Sequence, residues 1–531
     1  MMNELKQTLD RVNSIQRTEN GAIGYSTSGQ TLVDLNFSVP SNHNNVDGDT
    51  ISKFCAAAKE DMVTAVKWLF YLRDIREGLG ERDSFVKLFL ALYCYNQEVA
   101  IKVLPLIPEY GRWKDVIDLL STTTDDMEIT KKIYTIIGKQ IMADGMNMVE
   151  GKPISLLAKW LPSINASKKS RKIAMRICRE LGLISRDYRK LLSRLRNYID
   201  VTERKTCGNK WGEIDYNKVS SNANGRYVKA FMKHDPERRQ KYLDELAKPV
   251  PVGAVMHATN LYPHEVYAKY NEIGYHYTFS PVTVDQGIEA LWNNLKDMGD
   301  TGNTLVICDG SGSMESHISG SKIMAIDVAR ALGIYFAERA KGEFKNKVIE
   351  FSANPQYIDL SNCKTLADKY NTMIQYDECS NTNLQRVFDL LLITAINNKL
   401  SQDELPKRLL IVSDMEFDSA TSIRGYNDHD YVMSQYKTLF ETIKERWIQA
   451  GYTMPEIVFW NVNSRTQTIP VQSNEVGVIL VSGYSVNNIK MVLSGEINPW
   501  TALKSVLDSE RYSIIDEILS PDGEKKANKD I

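Results

Sequence analysis

The sequence predicts a multidomain protein of the α and α/β classes, with a helical repeat domain followed by a doubly wound, mostly parallel sheet. The chain has 531 residues, more than a single hydrophobic core usually organises. Apolar residues recur every three to four positions from about residue 50 to 245, which indicates amphipathic helices. After residue 303, patterns of buried strands alternate with helical patterns, as in parallel sheets covered by helices on both faces.

The first half of the chain reads as helix pairs. Residues 1–48 are predicted to be an N-terminal extension, and the pairs follow over 49–280, as in "AVKWLFYLRDIREGLGERDSFVKLFLALYCY". Tandem helix pairs bury each other's apolar faces, so we expect irregular HEAT-like repeats, although the sequence has no strict period. The mixed charges of "RDIREGLGER" favour internal ion pairs over phosphate binding.

The second half reads as an α/β domain. Prolines and glycines between Pro249 and Asn303 mark the connection, with a connecting helix predicted within 281–302. The sheet domain is predicted over 303–515 and a polar tail over 516–531, and the strands are "TLVICD", "NKVIEFS", "KRLLIVSDM", "EIVFWNVN" and "GVILVSGY". In this architecture ligands bind at the carboxyl ends of the strands.

Oxygen-bearing side chains are predicted to meet at that edge. Asp309, Ser311 and Ser313 follow the first strand, Thr382 lies in "ECSNTNLQ" before a helix, and Asp414 ends "RLLIVSD". Hydroxyl and carboxylate oxygens, without thiolate or imidazole, are typical ligands of Mg²⁺ or of another divalent cation such as Mn²⁺. The alternative is purely structural, with the serines capping the next helix and the first aspartate forming a local turn.

Over about 303–510 these motifs resemble a von Willebrand factor A domain, which has a Rossmann-like fold. The metal-ion-dependent adhesion site (MIDAS) of that family has the pattern D-x-S-x-S, then Thr, then Asp. The resemblance implies that Ser311, Ser313 and Thr382 bind the metal directly, and that Asp309 and Asp414 act directly or through water. It also implies an open coordination position that a carboxylate from a partner completes.

The helical half extends the resemblance. "FYLRDIREGLGERDSF", "PLIPEYGRWKDVIDLL" and "LLAKWLPS", followed by a basic helical region and an A domain, are similar to the TROVE module of the Ro ribonucleoprotein family. The similarity is greatest to bacterial and phage relatives, a family known as a domain of unknown function. In Ro the helical repeats form a ring closed by the A domain, and RNA binds the basic outer surface and the hole. The resemblance therefore implies a partner such as a small structured non-coding RNA or a misfolded RNA.

Basic residues are concentrated between Lys152 and Lys248. This segment contains roughly 24 Lys or Arg and roughly 10 Asp or Glu, whereas the whole chain has a net charge of -2. Such a segment, interleaved with Trp160 and Tyr188, would bind RNA with strong salt dependence. The alternative is an ordinary solvated helix face. The candidate RNA contacts are Lys168, Lys169, Arg171, Lys172, Arg176 and Arg179, and then Arg186, Arg189, Lys190, Arg194 and Arg196.

The motifs favour binding over catalysis. The sequence has no P-loop, no G-x-S-x-G elbow and no histidine placed as a general base, and Ser311 stands where a haloacid-dehalogenase phosphatase has a second Asp. We therefore expect a non-enzymatic RNA-binding protein whose A domain closes a ring or recruits a protein partner. A metal-dependent scaffold that binds no RNA is the alternative. Since no apolar run reaches about 18 residues, we expect a cytoplasmic protein without a membrane partner.

Overall fold

A computed structural model describes residues 12–42, 45–124, 126–199, 201–248, 253–271, 281–318, 321–376, 380–419 and 437–520. Over these ranges the fold is mixed α/β. Helices dominate the first half, and a six-stranded mixed sheet organises the second. This agrees with the α and α/β classes predicted from the periodicity.

The described chain opens with an antiparallel hairpin of β1 (Ile15–Arg17) and β2 (Ile23–Tyr25), followed by α1 (Thr31–Ser38). The helices of the first half follow in close succession. They are α2 (Gly48–Glu60), α3 (Met62–Arg73), α4 (Asp83–Tyr95), α5 (Gln97–Val103), α6 (Ile107–Tyr110), α7 (Trp113–Leu120), α8 (Glu128–Val149), α9 (Leu157–Trp160), α10 (Lys168–Glu180), α11 (Ser185–Ile199), α12 (Thr202–Cys207), α13 (Ser221–His234), α14 (Pro236–Leu246), α15 (Pro263–Asn271) and α16 (Gln286–Asn293).

Helix α3 lies at the centre of the first half. Asp61 begins it, because its side chain accepts a hydrogen bond from the backbone N–H of Thr64 at 3.0 Å. Every residue from Thr64 to Arg73 is buried, on all sides of the helix. A helix buried all round needs neighbours on more than one face, and α3 packs between other helices of the first half and the C-terminal helices of the second.

One sheet organises the second half. Its strands are β3 (Thr304–Asp309), β4 (Lys347–Phe351), β5 (Gln356–Asp359), β6 (Arg408–Ser413), β7 (Glu456–Asn461) and β8 (Val478–Ser482). They lie in the order β5-β4-β3-β6-β7-β8, and all pairs are parallel except β4 with β5. The chain order reverses between β3 and β6, so the crevice at the carboxyl ends of these two strands is where such a sheet binds ligands.

Helices cover the sheet and join the two halves. They are α17 (Ala325–Arg339), α18 (Leu366–Met373), α19 (Leu384–Asn398), α20 (Leu439–Gln449), α21 (Ile489–Val492), α22 (Pro499–Leu507) and α23 (Ser513–Leu519). The last of these lies against α3, where Asp516 pairs with Lys67 at 2.8 Å. The polar tail predicted from residue 516 therefore starts inside a packed helix, and residues 521–531 lie outside the described ranges.

The ion pairs predicted for "RDIREGLGER" are present. Arg73 pairs with Asp115 inside the helical half, where both side chains are buried. Asp74, also buried, accepts hydrogen bonds from Arg511 and from the Tyr512 hydroxyl, so this motif holds the two halves of the chain together. The prediction of structural ion pairs is thus confirmed for these two residues.

The predicted N-terminal extension packs on the sheet domain. Tyr25 and Ile469 exchange both backbone hydrogen bonds at 2.8 Å, which adds the hairpin to the segment that follows β7. Gly24 permits this close approach, because a Cβ there would lie 2.6 Å from Cγ2 of Thr468. The hairpin is thereby brought to the carboxyl edge of the sheet.

Candidate metal centre and basic helical surface

Asp309 occupies the carboxyl end of the central strand β3. Only 1% of its surface is exposed. One carboxylate oxygen accepts a hydrogen bond from the backbone N–H of Ser311 at 3.0 Å, and the other accepts one from the hydroxyl of Ser413, at the end of the neighbouring β6. The carboxylate therefore bridges the two strands between which the chain order reverses.

The turn after β3 brings Ser311 and Ser313 together, with their hydroxyl oxygens 3.0 Å apart. Gly310 is required in this turn, since a Cβ there would lie 2.5 Å from Oε1 of the buried Glu350. The Ser313 hydroxyl hydrogen-bonds the carboxylate of Asp414. A continuous set of hydrogen bonds thus joins the two predicted aspartates through the two predicted serines.

Thr382 approaches the same edge from the loop before α19, and 1% of it is exposed. The backbone N–H of Gly312 donates to the carbonyl of Ser380 at 3.1 Å, and that of Asp418 donates to the carbonyl of Thr382 at 2.9 Å. These bonds attach the threonine loop to the turn after β3 and to the segment after β6. All five residues predicted to bind metal therefore lie on neighbouring, mutually bonded segments.

The electrostatics of the two aspartates favour a cation. Burial raises the pKa of Asp309 to about 7, and the nearby charge of Asp414 adds to this rise. Burial also raises the pKa of Asp414, although the Ser313 hydroxyl and Arg465 oppose the shift. A divalent cation between them would compensate both charges. The oxygen donor set, with two carboxylates and three hydroxyls, fits the chemistry of Mg²⁺.

The chemistry of the donors distinguishes the Asp309 cluster from the metal sites that carboxylates, imidazoles and thiolates form. Within the described ranges, no group of three or more His, Cys, Asp or Glu side chains is placed to hold a metal ion. The cluster around Asp309 does not have such a group, because three of its five predicted donors are hydroxyls and only two are carboxylates.

Three charged residues at the site were not predicted. Arg465 donates from Nη1 to Oδ2 of Asp414 at 3.3 Å and from Nε to Oε2 of Glu19 at 2.7 Å. Glu416, which is fully buried, accepts backbone hydrogen bonds from both Glu19 and Arg465 at 2.8 Å and so positions both of them. The position of Glu416, two residues after the strand-ending aspartate in "SDMEFD", is the only sequence signal for this group.

The basic residues of α10 and α11 form the second candidate region. The apolar residues of both helices face inward, among them Ile173, Ile177, Leu192 and Leu195. Most of the predicted cations face outward. Those that are exposed are Lys168, Lys169, Arg171, Lys172, Arg179, Arg186, Arg189, Lys190 and Arg194.

Two of the predicted RNA contacts have structural partners instead. Arg176 donates to the carbonyl of Leu120 at 2.9 Å. Arg196 donates to the carbonyls of Ala158 and Leu161, at 2.8 and 2.6 Å, where α9 ends. These guanidinium groups connect α10 and α11 to earlier helices, as is common near the end of a helix.

The aromatic residues of the basic segment also differ in role. Tyr188 is buried and donates its hydroxyl to the carbonyl of Pro162 at 2.9 Å, so its ring belongs to the core. Trp160 lies under the guanidinium of Arg112, 5.2 Å from the ring centre. Tyr198, on the same helix as Tyr188, is 37% exposed and is the accessible ring that sequence reasoning missed.

The fold and the site define a mixed α/β protein with a basic helical surface and a buried carboxylate and hydroxyl cluster at the edge of its sheet. Residues 303–523 match a family described as "Domain of unknown function (DUF7788)", and residues 18–144 and 179–303 match one described as "Domain of unknown function (DUF2828)". The chain is 30% identical over 532 residues to "Uncharacterized protein L728" of Acanthamoeba polyphaga mimivirus, across 92% of this chain and 87% of that protein. The chain belongs to the same family as this mimivirus protein.

These matches include the candidate metal centre and the tip and second strand of the hairpin beside it, since one begins at residue 18 and the other spans β3 to α23. Helix α11 lies within the matched ranges, whereas most of α10 lies between them. In the part of the chain that the structure describes, none of the helices has the length and apolar character needed to cross a membrane.

Proposed function

We propose that this protein binds RNA through the basic face of α10 and α11 and holds a divalent cation at the edge of its sheet, without acting as an enzyme. The exposed cations on these two helices carry the proposal. A solvated helix face normally mixes both signs of charge, whereas these helices contribute Glu180 and Asp187 as their acidic residues.

The positive charge of these side chains suits a phosphate backbone. Each cation that neutralises a phosphate releases a condensed counterion, so each contact adds about -0.7 to -0.9 to the slope of log affinity against log salt. The backbone of packed helices is already ordered before binding, so it loses little further freedom. Such helices suit structured or misfolded RNA, because proteins recognise double-helical RNA mostly through its shape and its phosphates.

The wider architecture supports the resemblance described from the sequence. The successive helices of the first half are HEAT-like under this proposal and form a TROVE-like module, and the doubly wound sheet is a von Willebrand factor A domain. The bonds from Asp74 to Arg511 and Tyr512 support a role of this domain in closing the ring. The protein would then be a cytoplasmic ribonucleoprotein component of the Ro type.

The metal centre completes the proposal as a MIDAS. Ser311, Ser313 and Thr382 would provide neutral oxygens, and Asp309 and Asp414 would provide the negative charge that Mg²⁺ or Mn²⁺ requires. When bound, the cation would offer a position for a further oxygen ligand, such as a carboxylate. The two serine hydroxyls bond each other and a carboxylate rather than an imidazole base, which supports binding over nucleophilic catalysis.

Charge reversal on α10 tests RNA binding. A variant with Lys168→Glu, Lys169→Glu, Arg171→Glu and Lys172→Glu should bind a labelled RNA hairpin at least about tenfold more weakly at 100 mM salt, because four phosphate attractions become repulsions. Fluorescence anisotropy measures the affinity, and circular dichroism checks that the helices are intact. The same four changes at exposed lysines of the second half provide the matched control: Lys345, Lys364, Lys399 and Lys407.

The outcomes separate the two candidate functions. An equal loss of RNA affinity in both variants would indicate a general effect of charge and would contradict RNA binding by the basic face of α10 and α11. Wild-type protein that retains no RNA at low salt would refute RNA binding. It would leave the second candidate, a metal-dependent scaffold or protein-interaction module, which the oxygen cluster at the sheet edge favours.

A further inference from the structure

The N-terminal hairpin reaches the candidate metal centre. The side-chain amide of Asn20 donates to the carbonyl of Glu416 at 2.7 Å and lies 3.4 Å from the hydroxyl of Thr382. Two residues later, the backbone N–H of Ala22 donates to the carbonyl of Phe417 at 3.3 Å. The tip of the hairpin is therefore attached to the segment that carries one predicted metal ligand and touches another.

Glu19 lies at this tip with its backbone held and its side chain accessible. Its N–H donates to the buried carboxylate of Glu416 at 2.8 Å. Its own carboxylate is 56% exposed and pairs with Arg465, whose guanidinium also reaches the fully buried carboxylate of Asp414. One guanidinium thus separates an exposed carboxylate from the candidate metal cluster.

A bound cation would change this arrangement. Mg²⁺ prefers six oxygen ligands in an octahedral geometry, and the cluster supplies five. A double positive charge beside Asp414 would offset the carboxylate charge that holds the guanidinium of Arg465 at this site. Glu19 would then lose its partner while its backbone stayed in place, and the nearest compensation for its charge would be the cation itself.

We propose that the carboxylate of Glu19 ligates the cation, so that the ligand of this site is the chain's own N-terminal hairpin. The inference rests on the metal site proposed above. Under this assignment the bound metal would link the N-terminal hairpin to the edge of the sheet within one chain. An acidic partner protein would have to compete with Glu19 for the same coordination position.

Mn²⁺ titration of the full chain tests this assignment. Calorimetry should show that Glu19→Gln binds Mn²⁺ about tenfold more weakly than wild type, a loss typical of removing one group that supports a metal site. Asp49→Asn is the matched control, because Asp49 is another exposed, ion-paired carboxylate near the N-terminus. Hydrogen exchange should show that Mg²⁺ protects residues 18–26 in wild type and in the control, but not in Glu19→Gln.

The possible failures are distinguishable. Unchanged Mn²⁺ affinity and unchanged protection in Glu19→Gln, alongside a wild type that binds Mn²⁺, would overturn the assignment of Glu19 and leave the metal site standing. Tighter binding by Glu19→Gln would also overturn it, since Glu19 would then act only by holding Arg465 in place. A wild type that binds no Mn²⁺ would refute the metal site itself.

Discussion

The affinity of the candidate site for Mn²⁺ should depend on pH between 6 and 8. Burial raises the pKa of Asp309 to about 7, so at pH 6 most molecules carry a proton on the pair formed with Asp414. A cation must displace this proton, because metals bind the carboxylate form. With a pKa of about 7, the deprotonated fraction rises roughly tenfold from pH 6 to pH 8, and the dissociation constant should fall by about the same factor.

Isothermal titration of Mn²⁺ in buffers of different ionisation enthalpy measures both this change and the proton released. At pH 6 we expect nearly one proton released per Mn²⁺ bound, and at pH 8 much less. Asp309→Asn serves as the control and should bind Mn²⁺ weakly at every pH. An affinity that stays constant, or that decreases as the pH rises, would show that the buried pair does not bind the cation.

Two further predictions concern stability. Gly310→Ala should destabilise the sheet domain by about 2 kcal/mol, because the added Cβ would overlap the Glu350 carboxylate. Thermal unfolding followed by tryptophan fluorescence measures the change in stability. An unchanged unfolding midpoint would contradict the close packing of Gly310 against Glu350. Arg196→Gln should destabilise the helical half by about 2 kcal/mol, because hydrogen bonds from a charged group are lost. Arg194→Gln, on the exposed face of the same helix, should leave the stability unchanged. Urea unfolding followed by circular dichroism at 222 nm measures both variants. Equal effects of the two substitutions would contradict a specific stabilising role of the Arg196 hydrogen bonds.

The periodic elements of the fold were predictable because they are local. The pattern "TLVICD" coincides with β3, and "LQRVFDLLLITAINN" coincides with α19. Strand β5 was missed, because Ile358 is the one buried residue among its four and the strand forms an antiparallel edge of the sheet. Short edge strands lack the continuous apolar pattern that marks a buried strand.

The convergence of the oxygen-bearing side chains was predictable for a topological reason. Parallel strands end at one edge, so Asp309 and Asp414 had to lie close together once β3 and β6 were recognised. Arg465 and Glu19 come from a loop and from a hairpin, and neither has a periodic signal. Their contact spans 446 positions of the sequence, a separation at which local patterns are uninformative.

The basic helices show a different limit of sequence reasoning. Positive charge is visible in the sequence, but the direction of a side chain is not. Arg176 and Arg196 have the same charge as their neighbours, yet both turn toward backbone carbonyls. Lysines and arginines whose spacing places them on the apolar face of an amphipathic helix are therefore the ones to remove from a predicted RNA surface.

The seating of the N-terminal hairpin has a consequence for synthesis on the ribosome. Gln16 donates to the carbonyl of Thr466, 450 positions later, so the hairpin emerges long before its binding surface exists. At about 5–20 residues per second, the interval is roughly 20 to 90 seconds. During this time the hairpin lacks the segment after β7 that it binds, and the nascent helical half must fold before that contact forms.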